Sequence, residues 1–147
     1  MLTIELPFPV TANAYWMIAG RRLIKSKRAR AYISEVTLMW LDAKSKGAQA
    51  FGEDETLAMS IAIHYPVRKG PDCDVDNLLK VLIDAMETAG IYQNDNQIRF
   101  IQISREKAKD KTIGGARVNI RSCPHEMELD DQNFRVEEIH NVKEVIF

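Results

Sequence analysis

Cysteine is scarce in this chain. Cys73 and Cys123 are the only two in 147 residues, which excludes a disulfide framework and a cysteine-rich zinc centre. Long apolar runs are missing as well: none approaches the roughly 20 residues that span a bilayer, so no membrane partner is expected. The opening Met1-Leu2-Thr3-Ile4-Glu5 has neither the charged start nor the unbroken apolar stretch of a secretory signal, and the expected location is cytoplasmic. Histidine is rare, and His64, alone on an alternating segment, reads as structural rather than as a metal ligand. What remains, at 46% apolar content, is enough for one compact core and too short for two.

Charge is nearly balanced in total and unevenly placed. Residues 1–122 carry 18 Lys and Arg against 14 Asp and Glu, a balance of +4, whereas residues 123–147 carry 2 against 7, a balance of −5. The division predicts a basic body, residues 1–122, and an acidic C-terminal extension, residues 123–147. A basic body suits a polyanionic partner. Its densest stretch, residues 21–30, holds Arg21, Arg22, Lys25, Lys27, Arg28 and Arg30. Six charges of one sign exceed ordinary surface mixing, and the segment is read as phosphate-binding. Arg68 and Lys69 add two cations directly before an acidic cluster.

That cluster organises the chain. Asp72, Asp74 and Asp76 fall within five residues, ahead of Leu78, Leu79, Val81, Leu82, Ile83, Ala85, Met86 and Ala89, whose spacing predicts a helix with a wide apolar face. Asp76, Lys80, Asp84 and Glu87 form its polar stripe. Asp76 is expected as N-cap and Gly90 as the stop. Carboxylates crowded this way repel one another unless solvent screens them or a divalent cation sits among them; the reading taken is a metal site. Asp at a helix entry is equally an ordinary cap. Asp95 arrives only after the helix, so it joins the cluster through the fold or from a neighbouring subunit.

Elsewhere the pattern predicts strands at residues 2–6, 59–65, 97–106 and 116–121, and a second helix from Tyr32 to Gly47 with Trp40 in the core. Tyr15 and Trp16 lie in a loop, packing over the core edge or stacking on unpaired bases. Lys107, Lys109 and Lys111 make a cationic loop before the Gly114-Gly115 turn. The order β, α, β, α, β, β gives an α+β, two-layer domain, a mixed four-stranded sheet with two helices packed on it.

The pattern Asp74-x-Asp76-Asn77-Leu78-x-Lys80, an apolar helix, Gly90 and Asp95-x-Gln97 resembles the RusA family of Holliday junction resolvases. The resemblance implies a catalytic set of Asp74, Asp76, Lys80 and Asp95, with the three aspartates holding Mg²⁺, for which Mn²⁺ can substitute. It also implies a homodimer that resolves four-way branched DNA by paired symmetric cuts in recombination and repair. Two departures stand out: Asn94 precedes Asp95 where the family often pairs two acids, and Asp72 is an additional acid with no assigned role. Set against this reading are a metal-dependent nucleotide phosphohydrolase, which would not need a broad basic surface, and a non-catalytic DNA-architecture protein whose aspartates only cap a helix.

Overall fold

The structure, a computed structural model, describes residues 1–67, 73–107 and 114–123. Alternation sets the sheet. Strands β1 (Leu2–Pro7), β4 (Thr56–Tyr65), β5 (Ile98–Lys107) and β6 (Gly115–Cys123) form one four-stranded sheet in the order β1-β6-β4-β5. Every second residue of β1, β4 and β6 turns to one face, so Leu2, Ile4, Leu6, Leu57, Met59, Ile61, Ile63, Val118 and Ile120 are buried together. Against that face lie helices α2 (Lys27–Ser45), through Tyr32, Val36 and Trp40, and α3 (Val75–Ala89), through Leu78, Leu82 and Met86. The opposite face is polar. There Thr3 Oγ1 donates to Asn119 Oδ1 at 2.7 Å, and Glu5 pairs with Arg117. The expected two-layer α+β architecture is what forms.

One pairing positions everything that follows. β1–β6 and β6–β4 are antiparallel, but β4 and β5 run parallel, with Leu57 opposite Ile98 and Tyr65 opposite Lys107. A parallel neighbour needs a crossover, and α3 is that crossover. It starts beyond the Tyr65 end of β4 and returns to the Leu57 end before β5 begins.

Three details depart from the sequence expectations. Tyr15 and Trp16 do not lie in a loop: Tyr15 ends the single turn α1 (Ala12–Tyr15), and Trp16 opens β2 (Trp16–Ala19), which pairs with β3 (Arg22–Lys25) as a separate antiparallel hairpin. Its two-residue turn needs a positive φ, which Gly20 supplies at +61°. The second helix begins at Lys27 rather than Tyr32, because Ser26 Oγ accepts from Ala29 N at 3.1 Å and caps it. Lys27, Arg28 and Arg30 therefore ride on its first turn. Finally, the N-cap of α3 is Asp74, and Asp76 stands inside the first turn.

Candidate active site along helix α3

At its entry, α3 presents two carboxylates, Asp74 and Asp76. Asp74 occupies the cap position with extended backbone, yet its side chain makes no capping hydrogen bond. Asp76 follows in the first turn, and both are exposed. The residues around them come from the C-terminal end of β4. Tyr65 donates its hydroxyl to Cys73 O at 3.0 Å, stacks edge-on against Phe8 and lies under the Arg105 guanidinium, 4.3 Å from the ring centroid. Burial raises the Tyr65 pKa, the nearby Cys73, Asp74 and Asp76 add to the rise, and Arg105 opposes it. Arg105 thus stands by the Asp74 end, a placement no local pattern predicts because it comes from the parallel register that sets Arg105 beside Ile63.

Lys80 lies one turn beyond Asp76 and reaches forward to Asp84, with Nζ 3.8 Å from Oδ1. Asp84 leads to a second group of acids. Asp84, Glu87 and Asp95 offer carboxylate oxygens that all lie within 4.8 Å of one another. The cost of that crowding is visible in Glu87: desolvation, then the charges of Asp95 and Asp84, push its pKa up, while Lys25 and Lys80 partly restrain it. An oxygen-only donor set of this spacing fits a hard divalent cation. In the sequence, Asp84 and Glu87 stand out only as part of a polar stripe.

Asp95 is held at this end by its neighbours. It opens a single 3₁₀ turn, Asp95–Gln97, whose capping box joins Asn94 and Gln97. Asn94 Oδ1 accepts from Asn96 N at 2.8 Å, so the amide beside Asp95 serves as a cap. Gln97, nearly buried, accepts from the backbone N–H groups of Gln93 and Asn94 and donates to the carbonyls of Gly52 and Glu55. The Asp95 turn is thereby tied to the loop ahead of β4.

Of the four residues expected to act together, the fold brings Asp74 and Asp76 to the entry of α3 and Asp95 to its exit. Asp76 and Asp84 are eight residues apart, roughly 12 Å along the helix axis. Oxygen ligands of one cation stand at most about 5 Å apart, so no single ion joins both ends of α3 within this chain. The cationic residues divide too. Lys25 ends β3 at the base of the hairpin near Glu87, while Arg21 sits in its turn and Arg22 opens β3 at the far end. Arg68, Lys69, Asp72, Lys109, Lys111 and the acidic extension from residue 124 onward lie outside the described residues.

A mixed-sheet α+β domain with carboxylates strung along one crossover helix, and a cationic hairpin beside them, has the parts of a metal-assisted enzyme acting on a polyanion. A family model described as Endodeoxyribonuclease RusA matches residues 7–121. The chain is also 32% identical over 112 residues to the crossover junction endodeoxyribonuclease RusA of Aquifex aeolicus (strain VF5), covering 74% of this chain and 82% of that protein. This chain belongs to the RusA endodeoxyribonuclease family.

Proposed function

We propose that this protein resolves four-way DNA junctions by metal-assisted hydrolysis of phosphodiester bonds, working as a homodimer with Asp74, Asp76, Lys80 and Asp95 as its catalytic set. The observation that carries the reading is the family match across residues 7–121, which spans every residue of that set. The preferred cation is Mg²⁺, with Mn²⁺ as substitute. Bound among carboxylates, such an ion polarises a phosphate and lowers the pKa of an attacking water. Asp74 and Asp76 supply ligand oxygens that no cap consumes. Lys80 meets the negative charge that builds on the phosphate. Arg21, Arg22, Lys25, Lys27, Arg28 and Arg30, with Arg68 and Lys69, hold the backbone phosphates. The family match ends at residue 121, which supports treating residues 1–122 as the nuclease domain and 123–147 as an appended acidic segment.

The dimer answers the separation along α3. In the dimer we propose, the end of one subunit's helix that bears Asp95 faces the end of the other that bears Asp74 and Asp76, and a two-fold axis makes that contact reciprocal. Each of the two sites then draws Asp74 and Asp76 from one subunit and Asp95 from its partner. Two such sites, related by the axis, suit paired cuts in a nearly two-fold junction.

Cleavage of labelled four-way junction, linear duplex and flap DNA, with and without Mg²⁺, tests the activity. Cutting confined to junctions and dependent on the cation supports it; turnover of free nucleotides alone, or binding without turnover, refutes it. Co-expression of Asp76→Asn with Asp95→Asn tests the shared site. Each variant alone is expected to be inactive. If the sites are shared between subunits, the mixed dimer regains one intact site and nicks the junction; if each site is built within one subunit, both remain broken.

A further inference from the structure

The β2–β3 hairpin is apolar where a surface ribbon is ordinarily polar. Its cross-strand pairs set Trp16 opposite Lys25 and Ile18 opposite Leu23, so Trp16, Ile18 and Leu23 share one face. They are 44%, 77% and 63% exposed. The base is fixed: Tyr15 is buried, Trp16 stands edge-on to it with centroids 5.1 Å apart, Lys25 Nζ sits 5.5 Å from the Tyr15 ring centroid, and Ser26 N donates to Tyr15 O. The far end is therefore an apolar blade on a rigid mount, edged by Arg21, Arg22 and Lys25.

Charge selects what covers the blade. No acid occurs between Glu5 and Glu35, while six Lys and Arg crowd residues 21–30. Two hairpins pressed together about a two-fold axis would double that positive charge without a counter-ion. A polyanion that can also offer apolar faces satisfies both features, and unpaired nucleic-acid bases carried on a phosphate backbone have that chemistry. Lys25 is near enough to Glu87 to moderate its pKa, so the hairpin stands beside the acids of α3.

We infer that the β2–β3 hairpin is a wedge: Trp16, Ile18 and Leu23 enter the centre of a branched DNA and stack on or part the bases flanking the crossover, while Arg21 and Arg22 grip the adjoining phosphates. This rests on the junction reading above and adds to it how a branch is told from a duplex. A linear duplex has no parted bases for the blade, and unstacking it costs a few kcal/mol per step.

The test uses the full chain with Ca²⁺ in place of Mg²⁺, and four-way junctions carrying 2-aminopurine either beside the crossover or far along one arm. Expected is a fluorescence rise at the crossover position only, accompanied by quenching of Trp16; Trp40, 1% exposed, supplies the constant background. In the double variant Ile18→Ser, Leu23→Ser the crossover signal falls by more than about half. Its preference for junction over duplex drops about fivefold or more, the loss expected when one base no longer stacks on the protein. Full unstacking and unchanged preference in that variant overturn the inference. So does a shift from dimer to monomer on sedimentation, which would mean that a second copy covers the blade. Because unstacking is read without cleavage, wild-type protein that cuts junctions without parting their bases defeats only the wedge; wild-type protein that neither binds nor cuts junctions defeats both readings.

Discussion

Gln97 Nε2 donates to Gly52 O at 2.6 Å, linking the turn that carries Asp95 to a loop 45 residues earlier in the chain. With Gln93 N, Asn94 N and Glu55 O as its other partners, this one side chain makes four hydrogen bonds. It joins the two connections that flank the start of the β4–β5 pair.

Gln97→Leu should therefore destabilise the protein by about 2–4 kcal/mol, since it leaves backbone donors and acceptors unpaired around a buried side chain. Cleavage should fall further than stability accounts for, because Asp95 loses its mount. Thermal melting and single-turnover cleavage, measured on the same variant below its melting temperature, check both. A melting temperature equal to wild type would show that water replaces the amide.

Asp76→Asn should abolish cleavage while leaving folding and junction binding nearly intact. Asp74 holds the cap position of α3, so no cap is lost with the Asp76 carboxylate. Gel-shift affinity in Ca²⁺ and a melting curve are the controls. Loss of binding together with loss of folding would make the residue structural.

Lys80→Ala should lower the cleavage rate by about 10²-fold or more at saturating cation, the effect of removing one electrostatic stabiliser. Cation affinity should hold or rise slightly, because the ammonium beside Asp84 repels a cation and leaves with the substitution. A cation titration and single-turnover rates separate the two. Weakened cation binding with a full rate at saturation would defeat the assigned role.

Glu87 gives a pH prediction. Its pKa is raised in the folded state, by desolvation first and by Asp95 and Asp84 next. A raised carboxyl pKa means the folded state holds its proton more tightly than the unfolded chain, so the contribution is present at low pH and is lost as pH rises through the folded pKa. At neutral pH the ionised group destabilises. Glu87→Gln should accordingly melt higher than wild type near pH 7, with the difference shrinking as pH falls toward the ordinary carboxylate range. Added Mg²⁺ should stabilise wild type more than the variant, since a cation relieves the same repulsion.

Neutralising Lys27, Arg28 and Arg30 on the first turn of α2 should reduce the slope of log affinity against log salt. The expected reduction is about 0.9 for each phosphate these side chains neutralise in the wild-type complex, up to about 2.7 for all three. An unchanged slope would put that turn outside the DNA footprint.

Much of α3 was legible from sequence because one local rule governs it. Apolar residues at helical spacing, carboxylates at the entry and Gly90 at the end, where φ is +79°, need no distant partner to be recognised. The strands β1, β4 and β6 were legible for the same reason: one face is buried, and alternation records it. The hairpin was not, because Trp16-Met17-Ile18-Ala19 is exposed along its whole length and has no buried face to impose a period. The cap of α3 lies two residues before the Asp76 that the sequence predicts, since Asp74 and Asp76 are both cap-forming and only the backbone distinguishes them.

The sequence by itself determined which carboxylates and lysine are candidates for the chemistry, their order along the chain and the helix that spaces them, because residue type and short-range periodicity are local properties. Where those side chains meet was decided by tertiary structure. The parallel pairing of β4 with β5 sends α3 back along the sheet and carries Asp95 to the exit of the helix, beside Asp84 and Glu87, with Asp74 and Asp76 left at its entry. An antiparallel neighbour would have returned the chain to the Tyr65 end, next to Asp74. Strand direction depends on which long-range hydrogen-bonded ladder closes, and no spacing within residues 72–95 records that choice.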